Sequence, residues 1–176
     1  MFLKTFIFPF LIPLFHGEKT TLKIEINVKK GVKADKVRVK KIAQAILKAL
    51  GLKKIELSVL ITDDLGIREL NKTFRNIDAP TDCLSFPSGE EPPFYKGGLG
   101  GIDAGALGDI AISIDKAASQ AKEFKVSLEG EMKRLLTHSV LHLMGFDHVK
   151  GGRQARLMKE KEEAVLKALP SLRGRL

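Results

Sequence analysis

The sequence predicts an α+β domain in which helices cover the faces of a mixed sheet of about four strands. Three observations lead there. Short apolar or alternating runs at 22–28, 55–61, 83–86 and 108–114 read as strands. Stretches of helical periodicity lie between and after them. Two of the connections lack a full crossover helix, so the sheet cannot be wholly parallel. A chain of 176 residues, 44% hydrophobic and 29% charged, fits one domain with a real core and excludes a disordered class.

The elements follow in order. Leu22 to Val28 alternates strictly, as a strand with one buried face does. Asp35 can cap a helix to about Leu50, with Val39, Ile42, Ile46 and Leu50 inward and Gly51 as its stop. Ile55 to Ile61 reads as a more buried strand, after which Asp63 or Asp64 caps a short helix holding Ile67, Leu70 and Phe74. Asp78-Ala-Pro80 is a turn signal, and Cys83 to Phe86 is a short strand stopped by Pro87. Residues 88–107 are rich in Gly and Pro and read as a long loop of the lid or disordered kind. Gly108 to Ile114 is a strand, and Asp115 caps a helix to about Phe124. Ser127 can cap the next helix, and a last amphipathic helix runs from about Arg153 to Leu169, closed by Pro170. The domain thus spans 21–170, between an atypical hydrophobic extension over 1–20 and a basic tail over 171–176. The apolar run from Phe6 to Phe15 is too short to span a bilayer, so no membrane role is expected.

Chemistry concentrates in the helix after Ser127. Three of the four histidines fall between His138 and His148. His138 and His142 are four apart and project from one face of a helix, one turn above the other. Gly145 can take the left-handed conformation that ends a helix, which lets His148 return towards the pair. Apolar residues surround the two helical histidines, so unpaired imidazoles would each cost about 1–3 kcal/mol, and a shared metal satisfies both. Three imidazoles leave a tetrahedral zinc one open position for water, the layout of a catalytic site. Core histidines with hydrogen-bonded rings are the plainer alternative. The spacing is also that of the metzincin metalloproteases, which carry Glu after the first histidine as general base; here that position is Ser139.

The run His138-Ser-Val-Leu-His-Leu-Met-Gly-Phe-Asp-His148 more closely resembles the signature of the YbeY family of single-domain endoribonucleases, the ribosomal-RNA maturation factors. It departs at Ser139 and Phe146, both away from the ligand positions. Two further stretches resemble the same family: Leu70 to Pro87, with Cys83 where Val is usual, and Gly108-Asp-Ile-Ala-Ile-Ser113. The resemblance covers about 22–168. It implies a mixed four- to five-stranded sheet with the metal-binding helix central, and one Zn²⁺ per chain on His138, His142 and His148. It also implies Arg75 as a catalytic residue that clamps or stabilises a phosphate, though a surface Arg paired with Asp78 is the plainer reading. The implied function is a single-strand-preferring, metal-dependent endoribonuclease in ribosomal RNA maturation and ribosome quality control. Its partners would be ribosomal RNA, the ribosome or ribosomal proteins. The general base is not visible; Asp147 has a turn-forming or ligand-supporting role as its simpler reading. A metalloprotease-like zinc hydrolase, and a non-catalytic ribosome assembly factor with a structural metal, are the alternatives.

Charge distribution points the same way. Between Leu22 and Lys54 there are 11 Lys and Arg against 2 Asp and Glu, an excess equal to the +9 of the whole chain. Such a stretch favours a phosphate backbone, although a solvated helix face is the common reason for one. The lone Cys83 excludes an internal disulfide, which suits a reducing, cytoplasmic location.

Overall fold

The computed structural model describes residues 21–89, 105–146 and 151–170. The expected extension over 1–20, most of the Gly/Pro loop, Asp147, His148 and the basic tail lie outside the described residues. Within them the order is β1 (Lys23–Val28), α1 (Lys36–Ala49), β2 (Ile55–Thr62), α2 (Asp64–Arg75), β3 (Cys83–Pro87), β4 (Gly105–Ser113), α3 (Ile114–Glu123), α4 (Leu128–Leu143) and α5 (Gly152–Ala168). The sheet runs β1-β2-β4-β3. β2 pairs in parallel with both β1 and β4, while β3 is antiparallel to β4. This is the mixed α+β sheet that the pattern predicts, with four strands.

The period-2 alternation of β2 divides the protein into two layers. Leu57, Val59 and Ile61 join Ile24, Ile26, Ile110 and Ile112 in the main core, under Val39, Ile42 and Ile46 of α1 and Met132, Leu135, Leu136 and Val140 of α4. Leu60 belongs to a smaller cluster with Ile67, Leu70, Leu84, Phe86 and Ala111, beneath α2. β3 is short and ends at Pro87, which suits an edge strand because proline donates no ladder bond.

Three expectations are corrected. Phe74, grouped with Ile67 and Leu70 in the apolar pattern of α2, does not share their cover: it is 63% exposed and stacks edge-on against Phe86 with ring centroids 4.9 Å apart. The cap of α3 is Ser113, whose Oγ accepts from the Lys116 amide at 3.2 Å. Asp115 instead accepts from the Asp64 amide across to α2. Both residue types cap well, and the cross-connection from Ser113 Oγ to Asp64 Oδ1, at 2.5 Å, is what places the boundary. Finally, β4 begins at Gly105 rather than Gly108, because residues 105–107 continue the ladder beside β2.

The basic stretch is also partly committed inside the protein. Arg38 is buried and its Nη2 lies 2.9 Å from Glu129 of α4. Lys133 takes the other oxygen of Glu129 at 2.7 Å and donates to the Pro170 carbonyl at the end of α5. Lys23 pairs with Glu56 and Lys29 with Asp63. Lys36, Lys40 and Lys41 remain on the exposed side of α1.

Gly108 sits where three of these elements meet. Its φ is +137°, and a Cβ there would fall on the Phe86 carbonyl of β3 and press on Leu143 of α4. Gly108→Ala should therefore destabilise the protein by about 2–4 kcal/mol, from backbone strain plus overpacking. Urea unfolding checks this; a loss below about 1 kcal/mol would mean that β3 and α4 shift without resistance.

Candidate active site

α4 starts at Ser127, whose hydroxyl accepts from the Gly130 amide at 3.0 Å, with Glu129 and Glu131 in the first turn where the helix dipole favours anions. It packs against β3, β4, α1, α3 and α5. From Leu135 to Met144 every residue is buried except His138 and His142. Gly145, at φ +95°, ends the helix in the left-handed conformation expected of it.

The two imidazoles meet edge-on, with centroids 4.6 Å apart and planes at 81°. Their Nε2 atoms are 3.2 Å apart. A tetrahedral zinc with Zn–N bonds of about 2.0–2.1 Å holds its ligand nitrogens roughly 3.3–3.4 Å from each other. The pair thus already has the spacing of one edge of such a site. Among the described residues no third His, Cys, Asp or Glu completes a metal-binding group, and His148, the expected third ligand, lies outside them.

Arg75 is the last residue of α2, and Asn76 follows it in the left-handed conformation at φ 57°. It is exposed and makes no ion pair among the described residues. The pairing with Asp78 that would make it an ordinary surface arginine is not formed. Arg68 takes Asp78 Oδ1 at 2.6 Å and Lys72 takes Oδ2 at 3.0 Å. Those two hydrogen bonds lower the Asp78 pKa to about 2. Among the described residues no hydrogen bond or ion pair joins Arg75 to His138 or His142, but its charge reaches the Cys83 thiol at the start of β3, on the side of the strand that meets α4. There Ser85 Oγ donates to the Ser139 carbonyl at 3.3 Å, fastening the edge strand to the histidine-bearing turn. Burial and the Asp82 charge push the Cys83 thiol up to about 12, so it is neither a nucleophile nor a ready ligand.

Two charged residues at the site escaped the sequence reading. Arg134 precedes His138 by four residues and continues the same stripe one turn back. Its Nε and Nη2 grip Glu131, which is only 1% exposed, at 2.6–3.1 Å. Asp82 lies 3.6 Å from the same guanidinium. Burial alone would raise the Asp82 pKa, but hydrogen bonds led by Gln120 outweigh it and leave the pKa lowered. The second is Glu162 of α5, with Oε2 3.8 Å from His138 Nδ1. Extending the i, i+4 spacing of the histidines backwards finds Arg134. A carboxylate between the inward Met158 and Val165 is the signal for Glu162.

The family model described as "Endoribonuclease YbeY" matches residues 23–170, most of the chain and the whole of this site. The chain belongs to the YbeY family. Curated YbeY relatives include one named endoribonuclease YbeY from Aquifex aeolicus, 50% identical over 141 residues, covering 80% of this chain and 87% of that protein. Another of the same name, from Treponema denticola, is 42% identical over 132 residues, covering 75% and 83%. The solution structure of TM1509 from Thermotoga maritima superposes with a TM-score of 0.57 at 24% identity, covering 84% of this chain and 88% of that one, and shares the fold. The two histidines of α4, Arg75 and Glu162 all fall inside the segment matched to YbeY.

Asp78 shapes the turn that follows Arg75, and its ionisation gives a test. Its folded pKa of about 2 lies below the ordinary 3.8, so the stabilisation is present above about 4 and is lost as the pH falls towards 2. Asp78→Asn should lower the thermal midpoint at neutral pH, and the gap from the unmodified protein should close across that window. A gap that persists at about pH 2 would assign the loss to shape rather than charge.

Proposed function

We propose that this chain is a metal-dependent endoribonuclease that prefers single strands and acts in ribosomal RNA maturation and ribosome quality control, in the cytoplasm. Its partners on this reading are ribosomal RNA, the ribosome and ribosomal proteins. One observation carries the reading: between Leu135 and Met144, a stretch otherwise buried, His138 and His142 alone are partly open, and their Nε2 atoms are set 3.2 Å apart. Membership of a family whose relatives are named endoribonucleases supplies the substrate class. Among the described residues no helix is long and apolar enough to cross a membrane.

His138 and His142 would hold the zinc ion, one per chain, with His148 as third ligand. Bound there, zinc supplies a Lewis acid for a phosphoryl oxygen and lowers the pKa of a coordinated water. The side chains do the rest. Arg75, exposed and without an ion pair among the described residues, ends α2 within electrostatic reach of Cys83 at the start of β3, and there it would grip a phosphate in a forked geometry. Arg134 is already engaged with Glu131 and Asp82, so it fixes the site's shape and leaves anion binding to Arg75. The buried Ser139 bears no carboxylate, so the general base of a metalloprotease is missing at that position.

Purified protein should cleave single-stranded RNA, lose that activity with chelator and regain it with zinc. Arg75→Ala should keep metal content and thermal midpoint while cleavage falls by about 10²–10³, the usual loss for one preorganised charge-stabilising group. Arg75→Lys should recover only part of it. Stability falling in parallel with cleavage would make Arg75 structural, and unchanged cleavage would remove it from the mechanism.

Lys36, Lys40 and Lys41 are the expected phosphate contacts of the basic stretch; Arg38 is withdrawn from that role by Glu129. If each meets one phosphate of a single strand, reversing all three should flatten the log–log salt dependence of RNA binding by about 2. An unchanged slope would leave them as general surface charge.

A further inference from the structure

We propose that Glu162 is the positioning residue of the metal site, orienting His138 by accepting a hydrogen bond from its Nδ1–H. The inference rests on the reading of His138 as a metal ligand and goes beyond it, since nothing in the ligand spacing calls for a residue of α5.

The argument starts from where the carboxylate stands. α5 turns Met158 and Val165 into the core, at 2% and 4% exposure, and Leu157 and Leu169 pack partly against it. Glu162 is four residues after Met158 and three before Val165, so it lies on the inward stripe, where an aliphatic side chain would be expected. Its side chain is 19% exposed. A carboxylate kept in such a place needs a polar partner. Among the described residues, two candidates are near. Its charge acts on Arg134, but that guanidinium is already gripped by Glu131 and flanked by Asp82. The other is His138, whose Nδ1 is 3.8 Å away.

That separation is an ion-pair distance rather than a hydrogen bond, so the proposed contact calls for a rotation of the Glu162 side chain towards the ring. The geometry also gives the contact a direction. His138 turns Nε2 towards His142 Nε2 and Nδ1 towards Glu162. A carboxylate at Nδ1 holds the proton on that nitrogen and leaves the Nε2 lone pair for a cation, and it restrains rotation of the ring. Glu162 is thus placed to select the tautomer that metal binding needs.

The test uses the full chain and three variants, Glu162→Ala, Glu162→Gln and His138→Ala. Zinc affinity is read by competition with a chromophoric chelator, and site symmetry by the visible absorption of the cobalt-substituted protein. Glu162→Ala should weaken zinc binding by about 10–100-fold, the usual effect of losing such a partner, and alter the cobalt spectrum. The thermal midpoint of the metal-free protein should stay within a few degrees of the original. Glu162→Gln, whose Oε1 still accepts from Nδ1–H, should recover much of the affinity. Unchanged zinc affinity in Glu162→Ala, while His138→Ala loses it, would overturn the proposal and leave the metal reading intact. A metal-free midpoint that falls equally in Glu162→Ala and Glu162→Gln, with the cobalt spectrum unaltered, would also overturn it and make the residue structural. Failure of the unmodified protein to take up zinc or cobalt would sink the metal reading itself, and this proposal with it.

Discussion

Burial of α4 on nearly all sides is the constraint on which the site depends. Leu135, Leu136, Leu141 and Leu143 are all at 0% exposure, and each contributes about 1.5–3 kcal/mol by leaving water. Turning the helix by one residue would swing these side chains by about 100° and forfeit much of that contribution. The direction of His138 and His142 is therefore set by the leucines between them. Polar groups of modest individual worth are held in one orientation by apolar contacts that are collectively much stronger.

Ion pairs add position more than stability. Glu131, almost wholly buried, is compensated by Arg134, and the guanidinium reaches on to Asp82 at the entry to β3. At the other end of α4, Glu129 joins Arg38 of α1 to Lys133, which holds the carbonyl at the end of α5. Replacing such buried pairs by apolar residues often costs little, whereas removing one partner costs a great deal. Their consequence here is geometric. They tie the first half of α4 to its neighbours, so the second half presents its histidines at a fixed height beside β3 and α5.

Gly108 extends the same logic to the sheet. The third stretch that resembles the family, from Gly108 to Ser113, contains no group that could react with a substrate except Asp109 and Ser113. Its glycine is needed because β3 and α4 close over it, and its serine caps α3 while bonding to Asp64 of α2. Ser113 is buried, and its hydroxyl is committed to both tasks. A motif that reads as functional is thus, in large part, a packing requirement of the scaffold around the site.

The sequence alone determined the order and type of the elements, the mixed sheet and the helix that carries the histidine pair, because hydrophobic periodicity and capping residues are local signals. It also determined that His138 and His142 share a face, since that follows from 3.6 residues per turn. Contacts between distant segments were beyond its reach. Phe74 has the spacing of a core residue of α2 but lies outside, because the smaller layer beneath α2 is filled by Ile67, Leu84 and Ala111. Arg38 counted as one positive charge among eleven until Glu129, 91 residues later, withdrew it from the surface. Asp78 was the natural partner for Arg75 until the preceding turns of α2 brought Arg68 and Lys72 to it. Glu162 approaches His138 only because α5 packs across α4. Pairings of this kind depend on the closing of the chain upon itself, and no periodicity in the sequence encodes which charge will meet which.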